Sequence, residues 1–549
     1  MHPVKRFMIR LFPRTLAVVV IAFPAAGQSG PPVDTLTAVD AIFTGWTSST
    51  TPGCAVGVAR DGRVILTRAY GMANLEYDVP ITPRTIFEAG SVSKQFTAAA
   101  VVLLALDGKL SLEDPVRKYI PELPRYGDSI TIRQMLTHTS GLRDWGTVVG
   151  AAGWPRGTRT YTHRHVLDVI SRQKSLNYRP GDEYLYSNSN YNLAAMIVER
   201  VSGQSLSDFT RARLFQPLGM TSTSWRDEYR RVVKHRSTAY SGNPTTGFLQ
   251  DMPFENVYGN SSLLTTVEDL IKWNQNFVNP VVGGPRFVAE MQTQGRLNRG
   301  RTIPYALGLV RENWRGLPVV SHGGATAGYR AFLARYPEQR LDVALLCNSG
   351  SVNPEAIANR VAEVFLGDRL QPAATPTATG ARLSAAALQA RTGLFRDPRT
   401  GGPLRLTVQD SALRVGSLRV APVSENTFVA GRTRAEFTNG GATLRVISAE
   451  GDTTEYQRVP EWNPTAMELE EYVGRYRSDE AETSFTIALK DGRLVRTDRY
   501  GQTANLVPSY KDAFAQGGVL VTFRRDAAGR VVAMSLGLGR VRDLRFERQ

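Results

Sequence analysis

Apolar and polar positions alternate through AVGVARDGRVILTRAYGMANLE, and the alternation breaks only at RDGR, 60–63. A period of two interrupted by Asp-Gly predicts a β-hairpin. The run after Lys94, QFTAAAVVLLAL, is apolar on every side at helical spacing, which predicts a helix buried all round. TIRQMLTHTSGL reads as a short helix closed at Gly141. In SNYNLAAMIVERVSG, residues Leu193, Met196, Ile197 and Val201 recur at helical intervals up to Gly203. Between 317 and 349, LPVVSHGG, YRAFLARYP and LDVALLCNSG return to strand-like runs parted by polar turns. Strands at both ends with helices between them predict an α+β domain over 33–366, one sheet assembled from both ends and covered by helices.

QPAATPTATGAR then has the composition of a linker, placed at 367–382. Beyond it the chain becomes short alternating strands and repeats itself at roughly 80 residues. Leu388, Gly393, Phe395 and Arg396 match Leu469, Gly474, Tyr476 and Arg477. Leu406, Val408, Asp410 and Leu413 match Ile487, Leu489, Asp491 and Leu494, and Phe437 matches Phe523. The repetition predicts two small antiparallel β-units, each a barrel or curled sheet, at 383–459 and 467–549, joined through 460–466.

The first residues combine Lys5, Arg6, Arg10 and Arg14 with the apolar run LAVVVIAF and then PAAGQSG, the pattern of a secretory signal peptide over 1–27. The run is far short of the roughly 20 residues a membrane-spanning helix needs. A periplasmic or secreted protein without a transmembrane segment is therefore expected. The formal charge of +16 comes from dispersed arginines, with no basic run and no nucleic-acid-binding motif. It reflects a general attraction to anionic cell-envelope polymers, or simple composition, rather than nucleic-acid binding, and does not define function. Cys54 and Cys347 both fall in apolar strand-like runs and read as buried free thiols, with a disulfide as the alternative that export permits.

Chemistry concentrates at GSVSKQFTAA, 90–99. Ser91 and Lys94 are three apart and share a helical face, whereas Ser93 points elsewhere. A serine hydroxyl needs a base to become a nucleophile, and a lysine desolvated by apolar neighbours is pushed toward its neutral, basic form. The unpaired N–H groups of a first helical turn can hold an oxyanion. Against this stands an N-capping serine beside an exposed lysine, which the same spacing allows.

Four segments in order, FEAGSVSKQFTAA, TIRQMLTHTSGL, PGDEYLYSNSNYNLAAMIVERVSG and VVSHGGATAGY, resemble the serine β-lactamase and penicillin-binding-protein superfamily over 33–366. The likeness is to its class C-like branch of D-aminopeptidases, DD-carboxypeptidases and carboxylesterases. The resemblance implies Ser91 as the acylated nucleophile and Lys94 as its proton partner. It implies Tyr186 as the second proton-transfer group, although Tyr184 and Tyr191 lie in the same segment. Asn188 would bond the substrate amide and the lysine. Gly324 would let a strand approach the acyl group, and the N–H groups of Ser91 and Ala325 would form the oxyanion hole. His322 stands where β-lactamases carry the lysine of K-T-G, a weaker, pH-dependent carboxylate anchor that argues for peptidase or esterase chemistry. His138 reads as a loop-pinning residue, and His163 and His165 as a solvated loop without further metal ligands. No G-x-S-x-G elbow is present, which excludes an α/β-hydrolase.

The three-part layout resembles that of bacterial D-aminopeptidases, in which a barrel loop enters the site and selects a free amino terminus. The expected activity is hydrolysis of small peptides or amides containing D-residues, without cofactor or metal, since serine, lysine and tyrosine complete the proton inventory. A promiscuous carboxylesterase or weak β-lactamase is the alternative on the same residues. An envelope-binding or sensing protein is the alternative of another class.

Overall fold

The computed structural model describes residues 33–157, 159–372, 381–431, 433–448 and 452–549. The predicted leader, 1–27, and most of the predicted linker lie outside the described residues. No helix among the described residues is long and apolar enough to cross a membrane.

The catalytic-type domain is built on a six-stranded antiparallel sheet. Its strands are β1 (Cys54–Arg60), β2 (Arg63–Tyr70), β3 (Val310–Trp314), β4 (Leu317–Thr326), β5 (Tyr329–Tyr336) and β6 (Leu341–Cys347), in the order β3-β4-β5-β6-β1-β2. The predicted hairpin is β1–β2. Asp61 and Gly62 at its tip have φ of 51° and 76°, the left-handed pair that a two-residue turn between twisted strands requires. The two chain ends meet where β1 pairs with β6.

Around the sheet run helices α1 (Val33–Ile42), α2 (Lys94–Leu106), α3 (Ile132–Leu136), α4 (Trp145–Ala151), α5 (His163–Ser171), α6 (Asn188–Ser202), α7 (Val267–Gln275) and α8 (Pro354–Leu366). α1 and α8 cover one face, where Val343, Leu345 and Cys347 pack with Val39 and Ile357. Ala344 and Leu346 face the other way, into a core shared with Phe96 of α2 and Ile271 of α7. Both faces of β6 are thus covered, which is why its sequence is apolar without alternation. α2 is buried from Lys94 to Leu104, as its all-round apolar pattern requires. α6 ends at Gly203, whose φ of 71° forms the left-handed cap.

Three expectations are corrected. Cys54 and Cys347 are not free thiols: they are register partners on β1 and β6 and form a disulfide, with 4.0 Å between their Cα atoms. Separate apolar runs do not reveal that two cysteines will face each other across a ladder. Cys54→Ser is expected to destabilise the domain by roughly 2–4 kcal/mol, read as a lower unfolding midpoint that wild type approaches when reduced. Equal midpoints with and without reductant would refute a structural role. The helix predicted to close at Gly141 stops at Leu136, because His138 takes a left-handed φ of 57° and turns the chain into a loop. His163 and His165 are not in a solvated loop. They open α5, where His165 Nδ1 accepts the Thr162 N–H at 3.1 Å and His163 Nε2 lies 3.0 Å from the Tyr258 carbonyl.

The two C-terminal units are closed eight-stranded barrels with strands in sequence order, one from Gly393–Arg396 to Thr453–Val459 and one from Gly474–Ser478 to Val541–Arg548. Their repetition is structural. Leu388 and Leu469 sit in equivalent short helices capped by Ser384 and Thr465. Phe395 and Tyr476 are fully buried in the first strands, and Phe437 and Phe523 are buried in the sixth strand of each barrel. The first barrel has its own core, whereas the apolar core of the second is continuous with that of the catalytic domain.

Candidate active site

Ser91 sits on a 3-10 turn, Gly90–Ser93, that runs directly into α2. The turn is pressed against β4. A Cβ on Gly90 would stand 2.5 Å from Ala325 N, and one on Gly324 would stand 2.0 Å from the Ala89 carbonyl oxygen, so only glycine fits at either position. This contact brings the backbone of Ser91 and Ala325 to one wall of a cavity of about 630 Å³, which Tyr186, Asn188 and His322 also line. Ser93 points away, as the spacing requires: its hydroxyl donates to the Gly90 carbonyl at 2.5 Å and accepts the Leu263 N–H at 3.0 Å.

Lys94 is fully buried. Its Nζ lies 3.1 Å from Ser91 Oγ, 3.0 Å from Asn188 Oδ1 and 2.7 Å from the Asn260 carbonyl oxygen. Burial, then the cation of Arg540, drive its pKa well below the ordinary lysine value. A neutral amine has two N–H bonds and one lone pair. Two carbonyl oxygens take the former, and the lone pair is left for the Ser91 hydroxyl proton.

α6 positions Asn188, the first residue of the helix, whose backbone N–H donates to Asp144 Oδ2 at 2.8 Å. Asp144 also caps α4, accepting the Thr147 N–H at 2.9 Å. The Tyr186 phenol is held protonated by burial, an effect the Ser91 hydroxyl partly offsets. Of the other two tyrosines in its segment, Tyr191 is fully buried and donates to the Leu136 carbonyl at 2.7 Å, and Tyr184 is exposed outside the cavity lining. Beneath Tyr186 lies His138, ring centroids 4.2 Å apart. Its Nδ1 accepts the Ser187 N–H at 3.2 Å, and its carbonyl accepts the Leu185 N–H at 3.0 Å, which ties the His138 turn to the Tyr186 segment. Burial keeps His138 neutral.

His322 differs from a cationic anchor. Nδ1 lies 2.6 Å from the Gly323 carbonyl oxygen and so carries the proton, and Nε2 accepts from Tyr305 Oη at 2.9 Å. Burial and the nearby Lys94 lower its pKa to about 4, so the ring is uncharged at neutral pH.

Sequence reasoning missed Asn260, Tyr305, Arg156 and Arg540. Arg156 comes from the loop after α4, and Arg540 from the tip between the last two strands of the second barrel, β7 (Val531–Leu538) and β8 (Val541–Arg548). Both line the cavity, and Arg540 stands over the Tyr186 ring with its guanidinium carbon 4.8 Å from the centroid. No local pattern in GLGRVRD announces this reach. Among the described residues, no group of three or more His, Cys, Asp or Glu side chains is placed to hold a metal ion.

The family model described as Beta-lactamase matches residues 39–367. The chain belongs to the Beta-lactamase family. This family member is a serine hydrolase. It is similar to the D-aminopeptidase of Brucella anthropi, at 28% identity over 90% of this chain and 95% of that protein. Among solved structures it is similar in fold to an octameric penicillin-binding protein homologue from Pyrococcus abyssi, with 22% identity, TM-score 0.54 and coverage of 74% of this chain and 96% of that one. D-amino acid amidase from Ochrobactrum anthropi SV3 has the fold of the catalytic part, with 22% identity, TM-score 0.53 and coverage of 61% and 99%.

Proposed function

We propose that this protein hydrolyses amide bonds of small D-residue-containing peptides through an acyl-enzyme on Ser91, and that it works in the periplasm or outside the cell. The observation that carries the reading is the fully buried Lys94 amine 3.1 Å from Ser91 Oγ, with the Asn188 and Asn260 carbonyl oxygens at 3.0 and 2.7 Å and its pKa driven well down by burial. Ser91 Oγ attacks the substrate carbonyl carbon while its proton passes to Lys94 Nζ. The developing oxyanion is held by the N–H groups of Ser91 and Ala325, which the Gly90–Gly324 contact brings together. Asn188 orients the substrate amide. The C–N bond breaks as the leaving nitrogen takes a proton relayed through Tyr186, whose phenol is protonated in the resting site. Water then attacks the acyl ester, its proton returns through Tyr186 and Lys94, and Ser91 is regenerated.

The D-stereochemistry is supported by the named activity of relatives that span 90% of the chain. Export is supported by the leader-like N-terminus and by a disulfide, which persists in an oxidising compartment. The test is turnover of the matched enantiomers acetyl-D-Ala-D-Ala and acetyl-L-Ala-L-Ala. Cleavage of the D isomer alone is expected. Cleavage of p-nitrophenyl butyrate without any D substrate would replace this reading with a carboxylesterase.

A further inference from the structure

The cavity is unevenly charged. Arg156, Arg330 and Arg540 line it, against one carboxylate, Glu355. Two of the arginines are committed to the fold. Arg156 Nε donates to Glu255 Oε2 at 2.8 Å, and Arg330 Nη1 donates to the carbonyls of Ala327 and Tyr329, each at 2.7 Å. His322, engaged at both ring nitrogens, brings no charge. Arg540 is different. Its neighbours Arg542 and Asp543 are ion-paired with Glu183 and Arg524, yet among the described residues no carboxylate lies within ion-pair distance of the Arg540 guanidinium itself.

Its position is nevertheless held from both sides. The Arg540 carbonyl accepts Asn177 Nδ2 at 3.1 Å and the Asp144 N–H at 3.4 Å, and the Arg542 N–H donates to Asn177 Oδ1 at 2.7 Å. The hairpin tip is therefore docked on the loop that carries Asp144, with an exposed guanidinium over the Tyr186 ring. A guanidinium presents a planar fork of N–H donors that matches a carboxylate bidentately.

We propose that Arg540 is a substrate-binding residue that takes a carboxylate of the substrate, so that this protein acts on molecules carrying a free carboxylate close to the scissile bond. The proposal rests on the reading of Ser91 as the acylated nucleophile. A substrate whose nearest charge is an ammonium meets repulsion from Arg540. A carboxylate meets an unpaired cation over the Tyr186 ring. The second barrel thus supplies the charge that selects the substrate, in place of the lysine absent at His322.

The experiment compares two matched pairs on the full-length protein, with Ser91→Ala as blank. Acetyl-D-Ala-D-Ala is set against its C-terminal amide, and 3-carboxyphenyl butyrate against phenyl butyrate, so that in both pairs the carboxylate lies on the leaving group. In wild type the anionic member of a pair is expected to be favoured by about tenfold or more in kcat/KM, mainly through KM, as a charge-assisted hydrogen bond implies. Arg540→Gln, at an exposed hairpin tip, keeps the wild-type unfolding midpoint and brings that ratio down to about threefold or less, and Arg540→Glu reverses it. No anionic preference in either pair, or a preference that survives Arg540→Gln, overturns the proposal. Ester turnover with silent D-dipeptides would defeat the D-peptide reading alone, and the ester ratio would still decide Arg540. Silence of all four compounds overturns both.

Discussion

Ser91→Ala is expected to lower kcat/KM for every substrate of this protein by about a thousandfold or more, as removal of a nucleophile does elsewhere. The protein should still fold, since the Ser91 hydroxyl meets side chains of the cavity itself, Lys94 Nζ at 3.1 Å and the Tyr186 phenol. Two measurements separate this from a general weakening. The mass increase of an acyl-enzyme, seen when wild type is quenched during turnover, should vanish, and the unfolding midpoint should not move. The pH dependence follows from Lys94. The working form is the neutral amine, and burial together with the Arg540 cation lowers the lysine pKa. The neutral fraction rises as pH rises through that lowered value, so activity should fall on the acid side and persist at neutral pH, where an ordinary lysine would be protonated. An acid limb in the normal lysine range would show that Lys94 is not the base. Retained turnover in Ser91→Ala would return the protein to the class of binding modules.

Arg143→Met is expected to cost about 3–5 kcal/mol, because it leaves the buried Glu480 carboxylate without its cation. Arg143 and Glu480 are joined at 2.8 Å, with side-chain exposures of 0% and 5%. Glu480 belongs to the second barrel, and Arg143 to the loop that leads into α4. Around them Gln173 Nε2 donates to the Glu480 carbonyl at 3.2 Å, the Lys174 N–H donates to its carboxylate at 2.6 Å, and Arg143 Nη2 donates to the Asp543 carbonyl at 2.8 Å. The pair is therefore the buried centre of the seam that holds the Arg540 hairpin over Tyr186. The change should lower the unfolding midpoint and expose the 460–466 joint to protease. Arg143→Met combined with Glu480→Leu should recover much of the loss, since a buried ion pair replaced on both sides by apolar groups leaves no stranded charge. An unchanged midpoint in the single variant would mean that the barrel is held elsewhere.

Glu183 ties the same seam to the chemistry. Three residues before Tyr186, it receives Arg542 of the second barrel at 2.9 Å and Arg399 of the first. Both barrels therefore hold the segment that leads to Tyr186, which gives them a part in shaping the cavity beyond that of appended domains.

Much of this protein was decided by short-range pattern. Alternation around Asp61-Gly62 and the apolar run behind Lys94 each act within one element, where a period of two or of 3.6 states directly which side is buried, and the echo of Leu388 in Leu469 repeats one such local pattern. Ser91 and Lys94 are legible for the same reason, since residues three apart in a helical turn are neighbours whatever the rest of the chain does. The stop of α3 at Leu136 was not legible, because His138 leaves the helix to lie under Tyr186, and that ring comes from another segment. Nor was the pairing of Cys54 with Cys347, which depends on which strands become neighbours in the sheet. The neutral state of His322 follows from its burial beside Lys94 and its bond to Tyr305. Arg540 is the extreme case: it reaches the Tyr186 ring only because a barrel packs its last hairpin against the loop carrying Asp144. Local sequence sets elements and neighbours along one turn, whereas charge, protonation and selectivity at this site come from groups that only the folded chain brings within a few ångströms, where desolvation and Coulomb interaction are strong.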